Sequence, residues 1–167
     1  MPVIADSTYV DPSAVVIGDV EMGEDCSVWP CAVIRGDVHR IRVGRCTSIQ
    51  DNATLHVTHA SHYTPGGNPL TIGDYVTVAH GAIVHGCTIG NEVMIGMNAT
   101  VLDKAVVEDG VMIGAGAVVG PGKHLESGYL YVGSPIRKQR ALNDEEKTFL
   151  RYVAENYVRL KAQYLTE

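Results

Sequence analysis

The chain has 167 residues, a formal net charge of −6 and a sequence pI near 5.6. This length supports one well-buried domain and does not require a second. The acidic balance and the lack of basic runs argue against a nucleic-acid or anionic-membrane partner. The N-terminal residues carry no signal-peptide pattern and no apolar run approaches the roughly 18 residues that span a bilayer, so we expect a cytoplasmic protein.

Aliphatic side chains recur every six residues in four runs between Val10 and Val119, with a three-residue slip after Ile34 and further breaks after Leu55 and Val84. The repeated positions are Val10, Val16, Met22, Val28, Ile34, Val43, Ile49, Leu55, Ile72, Val78, Val84, Ile89, Ile95, Val101, Val107, Ile113 and Val119. A period of six fits neither an amphipathic helix nor an alternating strand. It is typical of a left-handed parallel β-helix, in which three hexads form a coil of about 18 residues and coils stack about 4.8 Å apart.

Glycine often follows the repeated aliphatic residue. The glycines at this position are Gly23, Gly44, Gly73, Gly90, Gly96, Gly114 and Gly120. A residue without Cβ adopts positive φ at little cost, so we expect these glycines to turn the corners of the coils.

The repeat ends near residue 120, and a helix is predicted at the C-terminal end. Asn143 is followed three residues later by Glu146, which is the pattern of an N-terminal cap. The predicted helix covers about 143–165, and its apolar stripe comprises Phe149, Val153, Tyr157, Leu160 and Tyr164. Residues 1–167 are therefore predicted to form a single, mainly β domain, with the β-helix at about 10–120.

Two histidines occupy the same position in the repeat. His56 follows Leu55 and His85 follows Val84. Leu55 and Val84 are each the third repeated aliphatic residue of their coil. Their separation of 29 residues equals one coil of about 18 plus an insertion of about 11, which we place in the irregular stretch at 60–69. The two imidazoles are then stacked about 4.8 Å apart, close enough for two ligands of one metal ion.

A third histidine, His80, lies in the preceding hexad, about 15 Å from His85 along the coil wall. It cannot join His56 and His85 within one chain. In three prisms packed about a threefold axis, His80 of one subunit can face the His56 and His85 column of the next, in a closed ring of heterologous contacts. The sequence thus predicts a homotrimer with a three-histidine metal site between subunits.

Four other polar residues occupy the same positions of the repeat as these histidines, or positions next to them. Arg35 follows Ile34 as His56 follows Leu55, and Asp51 precedes His80 by the same 29 residues. Gln50 and Asp51 are candidates to orient a metal ligand or its water, and Arg35 and Asp37 are candidates for an intersubunit ion pair. A charged structural seam of the trimer explains all four residues equally well.

His59 and His62 lie in the 57–71 loop beside Tyr63, Pro65 and Gly66. Exposed loop histidines are commonly surface residues without a role in catalysis. Beside a metal site, however, an imidazole that titrates near neutral pH is suited to pass a proton to buffer. Both remain candidates for that role.

Together, the segment Arg35-Gly36-Asp37, Gln50-Asp51 with His56, and His80 with His85 resemble the signature of the γ-class carbonic anhydrases. The resemblance covers most of the chain. It extends to 85–90, 126–131 and 133–135, where the sequence is similar to a compact bacterial subgroup. The resemblance implies a left-handed β-helix trimer with the residues matching His56 and His85 in one chain and that matching His80 in its neighbour. The long acidic loop of the best-studied members is missing, and His59 and His62 stand there instead.

The function implied is reversible hydration of CO2 to bicarbonate by a metal-bound hydroxide, with Zn2+ as the expected ion and Fe2+ or Co2+ as alternatives. Gln50 would orient the hydroxide. Two other classes share the predicted fold. One is a hexapeptide acyltransferase or acyl-CoA thioesterase-like protein, and the acyltransferase needs a histidine base but no metal. The other is a catalytically silent trimeric scaffold.

Overall fold

The computed structural model describes residues 1–165, which form nineteen short β-strands and one helix. The elements are β1 Val3–Ile4, β2 Tyr9–Val10, β3 Val15–Met22, β4 Ser27–Val28, β5 Val33–Val43, β6 Ser48–Ile49, β7 Thr54–His56, β8 Leu70–Ile72, β9 Thr77–Val78, β10 Ile83–His85, β11 Thr88–Ile89, β12 Met94–Ile95, β13 Thr100–Val101, β14 Val106–Val107, β15 Met112–Ile113, β16 Val118–Val119, β17 His124–Leu125, β18 Tyr129–Val132, β19 Arg137–Ala141 and α1 Asp144–Tyr164. The predicted mainly β fold, a left-handed parallel β-helix with a C-terminal helix, is confirmed.

The strands stack in parallel on three faces of a triangular prism. The first face contains β7, β10, β13 and β16, and the second contains β8, β11, β14 and β17. Strands β3 and β5 are long enough to turn the edge between these two faces and pair on both. The third face stacks β2, β4, β6, β9, β12, β15 and β18 in parallel, which corresponds to seven coils.

The aliphatic residues of the hexads fill the prism axis. Ile34, Leu55 and Val84 are directly paired in register on the first face, and all three are fully buried. Each buried hexad residue removes apolar surface from water at about 25 cal/mol per Å2. The prism is therefore stabilised by one continuous aliphatic column along each face.

The ladder extends beyond the predicted limits of about 10–120 at both ends. β1 pairs with β3 before Val10, and at the other end β17 pairs with β14 and β18 with β15. Leu125 and Tyr131 continue the six-residue spacing from Val119 and are buried. The Pro121-Gly122 pair turns a corner of the coil, with φ of +67° at Gly122, instead of ending the repeat.

The expected positive φ at the glycines that follow the hexad aliphatics is wrong. Positive φ occurs two residues after each of these seven glycines, at Asp25, Cys46, Tyr75, Glu92, Asn98, Gly116 and Gly122. At most of these seven positions glycine is required for another reason. Neighbouring coils are in close contact there and leave no room for a Cβ atom. A Cβ on Gly73 would lie 2.7 Å from the carbonyl carbon of Gly90 in the next coil.

Two interruptions leave the register of the coils intact. The three-residue slip after Ile34 is absorbed within β5, where the pairing with β3 shifts between Gly18 and Val20. The insertion predicted at 60–69 is a loop between β7 and β8, closed by a bridge between Thr58 and Asn68.

Helix α1 begins with the predicted capping box. The Asn143 side chain accepts a hydrogen bond from the Glu146 backbone, and the Glu146 carboxylate accepts one from the Asn143 backbone. Glu146 also pairs with Arg140 on β19, a strand that the sequence did not predict and that forms a hairpin with β18. Hydrogen bonds from the Arg140 guanidinium and from the Asn143 backbone N–H lower the pKa of Glu146 to about 2.

The predicted stripe of α1 faces the prism, where the Tyr157 and Tyr164 rings contact Trp29 with centroids 5.7 and 5.2 Å apart, but the fully buried residues of the helix are others. Leu150, Ala154 and Lys161 are buried, whereas Phe149 and Tyr164 remain exposed. The Lys161 ammonium is buried on this face and donates hydrogen bonds to the Ser7 carbonyl and to Asp25, with 2.8 Å between Lys161 Nζ and Asp25 Oδ1. The predicted packing of the helix on the prism is nevertheless observed, since it lies against the third face. Within residues 1–165, no helix combines the length and apolar character that crossing a membrane requires.

Close packing of the coils predicts different effects on stability for two glycines at the same position of the repeat. Gly73→Ala places Cβ against the backbone of Gly90, so we expect a loss of about 1–3 kcal/mol in the free energy of unfolding. Gly120→Ala meets no atom within 4 Å and should change stability by less than about 0.5 kcal/mol. Urea denaturation of both variants measures the difference, and equal stability would contradict this account of the glycines.

Candidate metal centre

His56 and His85 lie side by side on the first face of the prism. They end strands β7 and β10 and are paired directly in the ladder, as the 29-residue spacing predicts. Their ring centroids are 5.0 Å apart. His56 Nδ1 and His85 Nε2 face each other at 3.0 Å, near the roughly 3.3 Å that separates two nitrogen ligands of a tetrahedral metal ion.

A carboxylate contacts the other nitrogen of each ring. Asp37 Oδ1 is 3.0 Å from His56 Nε2, and Asp103 Oδ1 is 2.5 Å from His85 Nδ1. Metal-binding histidines commonly donate their second N–H to a carboxylate, which fixes the tautomer and the ring orientation. Both rings have this arrangement.

The two carboxyl groups are held in the ionised form. The hydrogen bond from His56, aided by Arg35, lowers the pKa of Asp37. Burial acts to raise the pKa of Asp103, but hydrogen bonds from Thr58, His85 and Asn68 outweigh it and lower the pKa. Each carboxylate is therefore an acceptor that draws the imidazole proton to its own side of the ring.

With one N–H of each ring directed to its carboxylate, two nitrogen lone pairs would face each other. If His56 and His85 each donate their proton to a carboxylate, the nitrogens that face at 3.0 Å carry no hydrogen. Two lone pairs at this distance repel unless a cation lies between them. The pair therefore fits either a shared proton or a metal ion.

His80 lies at the turn between β9 and β10, before the first-face strand that His85 ends. Its Nδ1 is 2.7 Å from Asp51 Oδ2, so the predicted proximity of these residues is observed. The imidazole is half-exposed, and its Nε2 makes no hydrogen bond with a described residue. Within residues 1–165, no three His, Cys, Asp or Glu side chains converge as a metal site.

The other candidate residues are placed as follows. Arg35 pairs with Asp37 within the same chain, Nη1 to Oδ2 at 2.5 Å, where the sequence predicted a pair between subunits. The Gln50 side chain is buried. His59 and His62 are exposed on the 57–69 loop, and the structure joins neither of them to His56, His80 or His85 by a hydrogen bond or ring contact.

Asp103 is the site residue that the sequence analysis missed. It lies 18 residues after His85, one coil further along, so the coil arithmetic that pairs Asp51 with His80 was sufficient to find it. Its Oδ2 accepts hydrogen bonds from Thr58 at 2.6 Å and Asn68 at 3.0 Å. No spacing rule predicts these two contacts, because both donors lie in the irregular loop.

Residues 1–36 and 86–121 match the family "Bacterial transferase hexapeptide (six repeats)". The chain is 57% identical to "Protein YrdA" of Escherichia coli K12 over 166 residues, covering 99% of this chain and 90% of that protein. It is 40% identical to a "Probable carbonic anhydrase" of Methanocaldococcus jannaschii, covering 94% of each. "Gamma carbonic anhydrase 1, mitochondrial" of Arabidopsis thaliana is 43% identical, with 99% of this chain and 60% of that protein covered.

The chain therefore belongs to the γ-class carbonic anhydrase family, within the compact bacterial subgroup that includes YrdA. Its fold is also close to the crystal structure of a hexapeptide transferase family protein from Anaplasma phagocytophilum. The TM-score is 0.90 at 38% identity, with 98% of this chain and 92% of that chain covered.

The contact between Asp103 and His85 predicts an effect on metal binding. Asp103→Asn keeps the shape of the side chain but removes the charge that would hold a metal-binding His85 in one tautomer, so any Zn2+ affinity of the wild type should fall about 10- to 100-fold. Competition with a chromophoric chelator measures the affinity. The matched control is Glu108→Gln, which alters the pair with His124 and should leave Zn2+ affinity unchanged. Equal affinities in the two variants would contradict the role of Asp103.

Proposed function

We propose that this protein is a metal-dependent γ-carbonic anhydrase that interconverts CO2 and bicarbonate at sites shared between the subunits of a homotrimer. Each site would use His56 and His85 of one subunit and His80 of the next. The observation that carries the proposal is the pair of facing nitrogens at 3.0 Å, each on a ring whose other nitrogen contacts a carboxylate. His80 has the same kind of carboxylate partner, Asp51.

The distribution of histidines on the first face supports a split between chains. His80 precedes β10 at one edge of this face, whereas His56 and His85 end their strands at the other edge. A chain cannot bring its own two edges together, because the buried aliphatic core keeps the face extended. Threefold packing of identical prisms would set one edge against the opposite edge of a neighbour, in a closed heterologous ring.

Three neutral imidazole nitrogens suit Zn2+, and the same set also suits Fe2+ or Co2+. Such an ion supplies Lewis acidity, which lowers the pKa of water enough to provide a nucleophile near neutral pH. The carboxylates of Asp37, Asp51 and Asp103 would hold the three imidazoles in the tautomer that presents a lone pair to the ion.

The remaining residues have distinct roles in this proposal. Arg35 would hold Asp37 against His56, since it pairs with the second oxygen of that carboxylate. The Gln50 amide would hydrogen-bond the attacking water and orient it towards CO2. His59 and His62, exposed on the adjacent loop, would carry the released proton to buffer.

A hexapeptide acyltransferase is the second candidate function, favoured by the structural likeness to the transferase-family protein from Anaplasma phagocytophilum. Such an enzyme uses a histidine as base for an acceptor and needs no metal ion. A thioesterase-like enzyme or a silent scaffold would use the same fold. Stoichiometric metal that depends on His56 and His80 would exclude the metal-free acyltransferase, and measured CO2 hydration would exclude the scaffold.

Mixing two inactive variants tests the division of ligands between chains. Neither His56→Ala nor His80→Ala trimers contain a complete site. In mixed trimers, a His80→Ala chain supplies the histidine pair and a His56→Ala neighbour supplies the third ligand. Equal and random reassembly should therefore restore about one quarter of the wild-type metal sites and activity. Metal analysis and a CO2 hydration assay after joint unfolding and refolding measure the recovery.

The control mixture combines His56→Ala with His85→Ala. It should restore nothing, because these two ligands must come from one chain. The shared site is wrong if the first mixture recovers no metal while wild-type protein survives the same treatment, or if both mixtures recover equally.

A further inference from the structure

The 57–69 loop holds the Asp103 carboxylate with the two residues that close its base. Thr58 and Asn68 pair across the base through two backbone hydrogen bonds, of 3.1 and 2.9 Å. The Thr58 hydroxyl and the Asn68 amide both donate to Asp103 Oδ2, at 2.6 and 3.0 Å. Asn68 is buried, and Thr58 and Asp103 are partly buried. One carboxylate oxygen is therefore held by two separate donors that face it from the loop.

The loop is closed without these side-chain hydrogen bonds. Backbone groups close the base, and Ser61 and Thr64 exchange two further backbone hydrogen bonds, of 3.0 and 3.2 Å, near the tip. The His39 ring contacts the loop from β5, with 3.1 Å between His39 Nε2 and the Gly66 carbonyl oxygen. The hydrogen bonds to Asp103 are additional to the contacts that shape the loop. What they fix is the position of the carboxylate.

The second oxygen of Asp103 is directed at His85 because the carboxylate lies across Gly86. A Cβ on Gly86 would be 2.5 Å from Asp103 Oδ1 and 3.0 Å from Asn68 Cβ, so a side chain at this position would displace the carboxylate. Oδ1 lies 2.5 Å from His85 Nδ1. A rotation of the carboxylate that moved Oδ1 away from His85 would also break the hydrogen bonds to Oδ2.

The carboxylate beside His56 is held by a different kind of donor. Asp37 pairs with the guanidinium of Arg35, which carries a positive charge. The hydroxyl of Thr58 and the amide of Asn68 are neutral. Neutral donors hold Asp103 in place and add no charge that would repel a cation beside His85. The loop thus supplies orientation without an electrostatic cost to a metal ion.

We infer that Thr58 and Asn68 are positioning residues of the proposed metal centre, which act through Asp103 to hold His85 in the tautomer with its proton on Nδ1. The Nε2 lone pair of His85 then faces His56 and is available to the ion. Neither Thr58 nor Asn68 contacts the reacting atoms in this account. The inference rests on the proposed function for the use of that lone pair, whereas the tautomer itself is a property of the protein without metal.

Long-range proton–nitrogen NMR of the intact, chelator-treated protein tests the inference, with isotopic nitrogen in its histidines and His85→Gln to identify the His85 signals. At about pH 8, where imidazoles are mainly neutral, wild-type His85 should carry its proton on Nδ1. The double variant Thr58→Val, Asn68→Leu removes both donors with side chains of similar size, and the Nε2–H form of His85 should then appear. Its Zn2+ affinity should fall about three- to tenfold, less than in Asp103→Asn because the carboxylate remains.

Two further variants separate positioning from packing. Thr58→Ser keeps the hydroxyl donor and should retain the wild-type tautomer, whereas Thr58→Val alone should show part of the change. Thr71→Val makes the same substitution at an exposed residue of β8 and should have no effect. The inference is overturned if wild-type His85 carries its proton on Nε2, if the double variant keeps the wild-type tautomer, or if Thr58→Ser changes it as much as Thr58→Val. Wild-type protein that binds no Zn2+ would contradict the proposed function instead, and the tautomer would still decide the role of Thr58 and Asn68.

Discussion

The hydrogen-bonded parallel ladder between coils is the constraint on which the rest of this structure depends. Because each coil lies directly on the previous one, the position of a residue in its hexad fixes both its face and its neighbours. His56 and His85 are neighbours for this reason, although 29 residues separate them. The 57–69 loop leaves the prism between two strands and returns in register, so it adds residues without moving the columns. Its position is useful, since Thr58 and Asn68 both bind the carboxylate that contacts His85.

Electrostatics determines what the stacked histidines can do. Stacking alone would give two imidazoles that share a proton. The ionised carboxylates of Asp37 and Asp103 favour a proton on the far side of each ring, which would leave the near nitrogens free to bind a metal ion.

The six-residue period was sufficient to predict the fold, the histidine stack and the contact between Asp51 and His80. It was not sufficient for features that depend on the distance between coils. The glycines after the hexad aliphatics were misassigned. Both close contact with the next coil and positive φ favour glycine, so the sequence alone does not distinguish the two causes. The burial of Lys161 on α1 was missed, because apolar periodicity does not anticipate that a lysine pairs with Asp25 beneath the helix. Asp103 could have been predicted from the period, because it lies 18 residues, or one coil, after His85.

The central claim is that the metal ligands are divided between chains, and native mass spectrometry of protein titrated with Zn2+ tests it most directly. Mass resolves the number of subunits and the number of bound ions in one measurement. This account predicts a trimer that carries three ions, one at each interface, and a His80→Ala protein that remains folded and carries none. A monomer with a tightly bound Zn2+ ion, or His80→Ala trimers with three ions, would contradict it.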